Sequence, residues 1–277
     1  GKTKGSIHEE LGLSWFSPEM REDRGELNLE DIPDLIELDD IKAELHAHTT
    51  ASDGRLSIDE LAAEAKRRRF HTIAVTDHSK SSEQANGLSV ERLREHIAAV
   101  REANERTKGI TILAGSEVDI LADGRLDYDD DLLAELDIVV ASPHVALKQE
   151  PKKATERLLA AIRHPLVHIL GHPTGRLINA REGLSPDMQA LIEAAVEHDT
   201  ALEINANDHR LDLRDYHVRM AVEASAKIAI NTDAHAADHF DLLRYGVLTA
   251  RRGWLTPGHC INTWTSAKLQ KWLKSKR

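Results

Sequence analysis

Cysteine and aromatic residues are scarce in this chain of 277 residues. Its single cysteine, Cys260, excludes an internal disulfide framework and a thiolate zinc site, and makes a reducing cytoplasm the expected location. Aromatic residues make up 4% of the chain against a hydrophobic total of 41%, so the core must be mostly aliphatic. No apolar run exceeds the length of a strand, and no N-terminal segment resembles a signal peptide. We therefore expect a cytoplasmic protein without a membrane partner.

The formal net charge of −11 bears on the choice of substrate. Phosphate backbones favour basic protein surfaces, so this charge favours a small substrate over a nucleic acid. Basic runs at 66–69 and 274–277 are interpreted as a solvated helix face and a solvated tail. Bound cations would cancel part of the negative charge, because a loaded metal site inverts the local charge.

The sequence pattern changes near residue 40. Residues 1–40 are acidic and interrupted by prolines, with a short helix predicted over 7–13, and we interpret them as an N-terminal arm or linker. Residues 41–277 are predicted to form one domain that ends in an amphipathic helix near 264–274. The chain begins at Gly1 rather than Met, which is compatible with a piece cut from a longer protein.

Seven strand–helix repeats are predicted after residue 40. The strands are expected near 43–48, 72–77, 110–118, 137–143, 166–171, 201–206 and 228–233. The helices are expected near 57–69, 89–107, 151–163, 185–198, 214–225 and 238–250. Start signals support several helices, among them Ser57 with Glu60 three residues later, and Pro186 at a first helical position. This rhythm predicts an α/β fold built on a parallel barrel or a closely related open sheet.

Most of the predicted strands end in a histidine, an aspartate or a glutamate. Side chains that leave parallel strands at one end of a barrel meet in a single pocket. Imidazole nitrogens and carboxylate oxygens that converge there would bind several divalent cations. The nine candidate metal ligands are His46, His48, Asp53, His78, Glu117, His144, His172, Asp233 and His235.

The spacing of these residues supports the same prediction. His46 and His48 are two residues apart, so on a strand both side chains point to the same side, and Asp233 and His235 repeat that spacing. The first and last strands of a closed barrel are neighbours in space. One histidine at a strand end is usually a hydrogen-bonded structural residue, but nine candidates at strand ends together predict a metallohydrolase.

The order of these residues resembles that of the PHP (polymerase and histidinol phosphatase) superfamily of metal-dependent phosphoesterases. The resemblance covers about residues 41–250 and implies a distorted seven-stranded (β/α)7 TIM-like barrel that holds two or three Mn, Zn or Fe ions. It also implies how the ligands divide among the ions. One ion would be held by His46, His48, Glu117 and Asp233, a second by Glu117 as a bridge with His144 and His172, and a third by Asp53, His78 and His235.

A finer similarity is to the C-terminal PHP domain of bacterial family X DNA polymerases. It rests on segments such as 115–120, 172–177, 203–207 and 231–235. In that family the domain is a manganese-dependent 3′–5′ exonuclease. The resemblance therefore implies DNA 3′ ends as the substrate, and a polymerase domain as a partner if this chain is a piece of a longer protein. The sequence departs from the family pattern after Asn207, where a proline is expected.

The implied mechanism needs no serine or cysteine nucleophile. A hydroxide bridging two ions would attack phosphorus in line, while the metals stabilise the attacking and leaving oxygens. The residues assigned to catalysis are Glu117, Asp233, His46 and His48. Substrate contacts are predicted for Lys80, Lys148 and Arg176 in loops at the ligand-bearing end, and for Asn207 and Arg210 at the pocket rim. Asp77 adjoins a ligand and is expected to orient one.

Two alternatives to the exonuclease stay open. A phosphatase, phosphodiesterase or phosphotriesterase acting on small molecules would use the same metals, and the net charge and the missing DNA-binding domains favour it. A non-catalytic PHP module that helps to assemble a polymerase is disfavoured, because a degenerate domain should have lost metal ligands. Assays on a DNA oligonucleotide and on nitrophenyl phosphoesters would separate these functions.

Overall fold

The computed structural model describes His8 and residues 10–276, so the helix predicted over 7–13 lies partly outside the described residues. Its strands are β1 (Ala43–Glu44), β2 (Thr72–Val75), β3 (Thr111–Asp119), β4 (Ile138–Ser142), β5 (Ile169–Leu170), β6 (Ala201–Asn205) and β7 (Ile228–Asn231). Each strand pairs in parallel with the next one along the chain, so the sheet order is the sequence order. Parallel neighbours require crossover connections, and most of these connections contain a helix.

The sheet closes into a distorted barrel between its first and last strands. Ala47 and Ala234, just beyond β1 and β7, form a parallel bridge in which the His48 amide donates to the Ala234 carbonyl at 2.8 Å. At the other end, the Asn262 side-chain amide donates to the Ala43 carbonyl at 3.0 Å and to a carbonyl of β7 at 2.9 Å. The predicted seven-stranded α/β barrel is therefore confirmed.

The helices are α1 (Ile58–Arg67), α2 (Val90–Arg106), α3 (Asp130–Leu133), α4 (Pro151–Ile162), α5 (Met188–Glu197), α6 (Asp215–Glu223), α7 (Leu243–Arg252) and α8 (Ser266–Ser275). Helix α1 begins with the predicted capping box, in which Ser57 and Glu60 each accept the other's backbone N–H. Helix α5 begins at Met188 and not at Pro186, because the Asp187 side chain accepts the Ala190 N–H and caps the helix there. None of the described helices is both long and apolar enough to cross a bilayer.

Aliphatic side chains fill two layers of core. One layer lies between the sheet and the surrounding helices and includes Ile73, and the other lies inside the barrel and includes Ile138. Helix α8 adds Trp272 to the inner layer. This helix covers the amino-terminal ends of the strands, since the Gln270 side chain lies 3.5 Å from the hydroxyl of Thr111, the first residue of β3. The opposite, carboxyl-terminal end of the barrel is therefore left for a site.

The described part of the N-terminal arm lies against α7. Phe16 and Met20 are buried against Trp254, which follows the end of that helix. Arg251 of α7 places its Nε 3.1 Å from a carboxylate oxygen of Glu19. The described part of the arm therefore packs on the side of the barrel.

Candidate metal centre

The nine predicted ligands lie together at the carboxyl-terminal end of the barrel. Glu117 belongs to β3 itself, and the others follow the ends of β1, β2, β4, β5 and β7. Most of them are buried, and the most exposed is Asp53, with a third of its side chain accessible. The shared end of a parallel barrel thus brings together residues that are far apart in the chain.

Glu117 stands at the centre of this cluster. Its carboxylate oxygens lie 2.8 Å from His172 Nε2, 3.0 Å from His78 Nδ1, and 3.3 Å from both His46 Nε2 and His144 Nε2. Its side chain is 1% exposed. A buried carboxylate with imidazoles on several sides offers the oxygen and nitrogen donors that bind divalent cations in proteins.

Three groups of side chains have ligand atoms close enough to share an ion, with all atoms of a group within 4.8 Å of one another. The groups are His46, His48, Glu117 and Asp233; His48, Asp53, His78 and His235; and His78, Glu117 and His144. The first group is the set that the family resemblance implies for one ion. The second adds His48 to the implied set, and the third contains His78 where His172 was implied.

Several buried polar atoms in the cluster have no hydrogen-bond partner among the described residues. They are His46 Nε2, both ring nitrogens of His48, His78 Nδ1, His172 Nδ1, Glu117 Oε2 and Asp233 Oδ1. Each buried polar group left unsatisfied costs about 1–3 kcal/mol, so such a concentration is unfavourable unless a ligand completes it. Nitrogen and oxygen donors of this kind suit Mn, Zn or Fe, so the residues fit the ions that the sequence predicts.

The central carboxylates are held in the charged form. Burial alone would raise the pKa of Glu117, but His144, His46 and His78 outweigh it and hold this pKa well below its ordinary value. Burial also opposes ionisation of Asp233, yet the neighbouring His46 and His48 bring its pKa well below the ordinary value. Both groups therefore offer negative charge to cations throughout the physiological range.

The histidines of the cluster differ in their proton affinity. Burial lowers the pKa of His48 to about 4, with help from the positive charges of His78 and His235. For His144, burial acts in the same direction but Glu117 and Asp119 outweigh it, and the pKa rises to about 10. An imidazole binds a cation only through an unprotonated nitrogen, so metal binding displaces protons here and strengthens as pH rises.

Glu203, a fully buried residue of β6, orients two of the predicted ligands. Its Oε1 lies 2.8 Å from His46 Nδ1 and accepts the Asn231 side-chain N–H at 2.9 Å. Its Oε2 accepts the backbone N–H of His172 at 2.7 Å. A proton on Nδ1 leaves the Nε2 lone pair of His46 for a cation, and the carboxylate makes that nitrogen a stronger donor.

Asp119 performs the same task for His144. It lies two residues after Glu117 on β3, and its Oδ1 contacts His144 Nδ1, which leaves Nε2 of that ring facing Glu117. The other oxygen of Asp119 accepts hydrogen bonds from the hydroxyls of Ser81 and Ser82, the latter at 3.0 Å. The loop after β2 thus holds the Asp119 carboxylate in place, and this carboxylate orients the ring of His144.

Asp77 acts on a loop and not directly on a ligand ring. Its Oδ1 accepts the backbone N–H groups of Thr49 at 2.9 Å and Ser52 at 3.2 Å. Its Oδ2 lies 2.8 Å from His96 Nε2, on helix α2. The loop held in this way leads into Asp53, so Asp77 orients that predicted ligand through the backbone.

The two lysines predicted to contact substrate are exposed at the ligand-bearing end. Lys80 places its ammonium group 5.6 Å from the centre of the Tyr128 ring. Lys148 lies in the loop between β4 and α4. Both can change their orientation at little cost, because both side chains are exposed.

The other three predicted substrate contacts belong to two packed loops. The Arg176 guanidinium donates to the backbone carbonyls of Arg210, at 2.7 Å, and Leu211, so much of its donor capacity is used inside the protein. The Asn207 side chain accepts the backbone N–H of His209 at 3.0 Å and shapes the turn. Arg210 reaches the metal ligands: its Nε lies 3.8 Å from Asp233 Oδ2, and its buried Nη1 has no partner among the described residues.

The comparison with known proteins agrees with this geometry. The PHP domain family matches residues 44–207, which make up more than half of the chain. The chain belongs to the PHP family. It is 43% identical over 265 residues to the DNA polymerase/3'-5' exonuclease PolX of Bacillus subtilis (strain 168). That alignment covers 95% of this chain but 46% of PolX, so the chain spans less than half the length of that relative.

Shorter PHP relatives align over most of their length. The chain is 28% identical over 245 residues to a probable phosphatase of Thermoanaerobacter sp. (strain X514), which covers 84% of this chain and 94% of the relative. The histidinol phosphate phosphatase of Lactococcus lactis, solved with Zn, L-histidinol and phosphate, has the same fold, with a TM-score of 0.51 and 16% identity over 76% of this chain and 93% of that one. Membership of the PHP family makes this chain a metal-dependent phosphoester hydrolase.

Sequence analysis of this PHP chain missed three buried carboxylates, those of Glu44, Asp119 and Glu203. Each is an acid within an otherwise apolar strand, and that signal could have identified it. Glu44, two residues before His46, accepts the Thr232 hydroxyl at 2.8 Å, and burial raises its pKa to about 7. These carboxylates lie beneath the predicted ligands and hold them in place.

Proposed function

We propose that this PHP chain is a manganese-dependent 3′–5′ exonuclease or phosphodiesterase that works with a trinuclear metal site. The observation that carries the proposal is the position of Glu117, which belongs to two of the three overlapping ligand groups. Two or three ions around one bridging carboxylate suit in-line displacement at phosphorus. Identity of 43% with PolX supports DNA 3′ ends as the substrate.

When bound, the ions supply Lewis-acid activation of water and of the phosphoryl oxygens. The chain's own residues prepare the site for them. Glu117 and Asp233 offer negative charge in a dry environment, and His46 and His48 present ring nitrogens to the same space. Glu203 keeps the proton of His46 on Nδ1, so that Nε2 stays free without any rearrangement during the reaction.

Arg210 is the residue best placed to bind the phosphoryl group. Its guanidinium lies at the edge of the ligand cluster, where its Nη1 has no partner among the described residues. An arginine fork held next to the cations would donate to the non-bridging oxygens as their charge increases. Arg176 would then contribute indirectly, because it fixes the backbone carbonyl of Arg210.

The net charge of −11 favours a second candidate, the hydrolysis of a small phosphoester. The alignment with the Thermoanaerobacter probable phosphatase, over 94% of its length, supports this candidate. Both candidates use the same metals and the same phosphoryl contacts. They differ in what lies beyond the scissile phosphate, so only the choice of substrate separates them. The third possibility, a non-catalytic PHP module, predicts no turnover of either kind of substrate.

The deciding experiment compares two substrates on one metal-loaded preparation. Manganese-stimulated shortening of a 5′-labelled single-stranded oligonucleotide from its 3′ end is the expected result, with Asp233→Asn as the inactive control. Turnover of p-nitrophenyl phosphoesters without trimming would favour the small-molecule candidate. Two or three bound ions with no turnover of either substrate would favour the non-catalytic module. Elemental analysis that finds one ion or none per chain would contradict the trinuclear site.

A further inference from the structure

A cavity of about 460 Å³ lies beside the loop that carries Arg210, outside the cluster of metal ligands. Its lining includes Arg176, Arg181, Glu182 and Arg214, with the turn 177–180 between them. Three arginines against one glutamate give this lining a positive charge. The chain as a whole is acidic, so the local charge is opposite in sign to the net charge.

The guanidinium groups of Arg181 and Arg214 are not neutralised by a carboxylate among the described residues. Arg181 donates through Nε to the Gly175 carbonyl at 2.9 Å, which leaves its two terminal nitrogens for a ligand. The Nε of Arg214 is buried without a partner, and its Nη1 is 3.4 Å from the Tyr216 hydroxyl. Neither arginine has a carboxylate within salt-bridge distance in the part of the chain that the structure describes.

Two acids close to Arg214 in the chain, Asp212 and Asp215, make contacts with other groups. Asp215, next to Arg214 in the chain, forms ion pairs with Arg24 at 2.9 Å and with Arg252 at 3.2 Å. Asp212 is buried, and one of its oxygens accepts N–H groups from the loop that follows β5. Glu182 is an exposed residue of the lining. Three arginines against this one glutamate leave the lining with an excess of positive charge, which an external anion would neutralise.

The Arg210 loop links the lining of the cavity to the metal centre. Arg176 lines the cavity and donates to the backbone carbonyl of Arg210, and the side chain of Arg210 reaches Asp233. The positive charge of Arg210 also affects both sites. Burial lowers the pKa of His172 in the cluster and the pKa of Arg181 in the cavity, and in each case the charge of Arg210 is the second largest cause. A chain of positive groups thus leads outward from the phosphoryl site.

We propose that Arg181 and Arg214 bind a second phosphate of the substrate, beyond the phosphate that is cleaved. The inference rests on the proposed phosphoester hydrolysis and narrows its substrate to molecules with at least two phosphates. Planar guanidinium forks recognise phosphate oxygens in pairs, which explains arginine in both positions. The second phosphate belongs either to the neighbouring nucleotide of a single strand or to a small bisphosphate, and the chemistry recognised is the same.

The test uses the double variant Arg181→Gln/Arg214→Gln, which removes two charges but keeps much of the side-chain length and some hydrogen-bonding capacity. The matched control is Arg163→Gln/Lys274→Gln, which removes two exposed charges near the opposite end of the barrel. Each protein is assayed with manganese on p-nitrophenyl phosphate, on a single-stranded oligonucleotide and on a sugar bisphosphate. Elemental analysis checks that all three proteins carry the same metal.

We expect the double variant to raise KM for the substrate with two or more phosphates by about tenfold or more, because hydrogen bonds to charged groups contribute that much. Its kcat on that substrate and its kinetics on p-nitrophenyl phosphate should stay unchanged. The slope of log KM against the logarithm of the salt concentration should become shallower by about one for each arginine–phosphate pair that the substitutions remove. The response of the oligonucleotide or of the bisphosphate identifies the source of the second phosphate.

Equal losses on all substrates would overturn the proposal, because they would place the two arginines in folding or in metal binding. Unchanged KM values on every substrate would overturn it as well. Binding of a fluorescent oligonucleotide in EDTA gives a readout that needs no turnover. If the wild type hydrolyses no phosphoester, the proposed function fails, and weaker binding by the double variant would still support the anion site, whereas equal binding would refute it.

Discussion

Replacing Glu203 by glutamine tests whether a buried carboxylate determines the metal affinity of the cluster. Glu203 accepts three hydrogen bonds and donates none: from His46 Nδ1 and Asn231 at Oε1, and from the His172 backbone at Oε2. A glutamine side chain has nearly the same shape but offers one oxygen and one NH₂ group. It cannot accept hydrogen bonds at both positions, so the hydrogen bonds at one of the two positions must be lost.

The size of the effect follows from which end fails. If the glutamine oxygen faces His46 and Asn231, its NH₂ group opposes the His172 N–H, and that buried donor left unsatisfied costs about 1–3 kcal/mol of folding free energy. If the oxygen faces His172, the NH₂ group opposes His46 Nδ1, and the ring must carry its proton on Nε2, where it blocks the cation. Loss of such an orienting partner lowers metal affinity by about 10- to 100-fold.

The assay is a manganese titration of metal-free protein, with the free energy of unfolding measured on the same sample. We expect Glu203→Gln to fold and then either to lose about 1–3 kcal/mol of stability without metal or to bind manganese about 10- to 100-fold more weakly, according to which end of the glutamine lacks a partner. Glu156→Gln, on the outer surface of α4, is the matched control and should leave both quantities unchanged. Wild-type stability together with wild-type metal affinity in Glu203→Gln would refute the reasoning.

Three further predictions follow from the packing and the charges. Glu117→Gln should lose metal and activity together while the circular dichroism spectrum stays native, since that carboxylate contacts several ligands. Arg214→Gln should raise the NMR-measured pKa of His217, which burial and neighbouring arginines lower from 6.5 to about 4. In the wild type this lowering makes the unfolding free energy fall as pH drops from 6.5 to 4, because the unfolded chain binds more protons there. Gly246→Ala places a Cβ 2.7 Å from two barrel side chains and should cost about 1–3 kcal/mol in a denaturant titration, whereas Gly258→Ala should cost far less.

The barrel could be predicted from sequence because its strands are buried on both faces and form short apolar runs. The fifth strand shows where this signal is incomplete. An apolar run over 166–171 predicts a strand of that length, but β5 pairs only over Ile169–Leu170. The ring of His168 accepts the Val139 N–H at 3.1 Å, so a side chain takes part in the connection to β4 just before the paired residues. A side chain that interacts with the backbone in this way cannot be recognised from apolar periodicity.

The ligand types were predictable, but their grouping was not. A histidine at a strand end is visible in the sequence, whereas its ring orientation depends on partners such as Glu203 for His46. The second group includes His48, a residue that the family resemblance assigns to another ion. Arg176 was a reasonable substrate contact by position alone. Its guanidinium is turned inward by backbone carbonyls of a loop more than thirty residues away, an interaction that spacing cannot reveal.

The net charge of −11 is a weak guide to the substrate, because the charges are not evenly spread. In the described arm, acids such as Glu19 are paired with arginines of α7. Exposed charges more than about 10 Å apart are largely screened at ordinary ionic strength. A phosphate at the rim therefore responds mainly to Arg181, Arg210 and Arg214 and to the cations of the centre. Three arginines can pair with few phosphates, so we expect the contacts at the rim, and not the net charge, to distinguish a short nucleic-acid end from a small phosphoester.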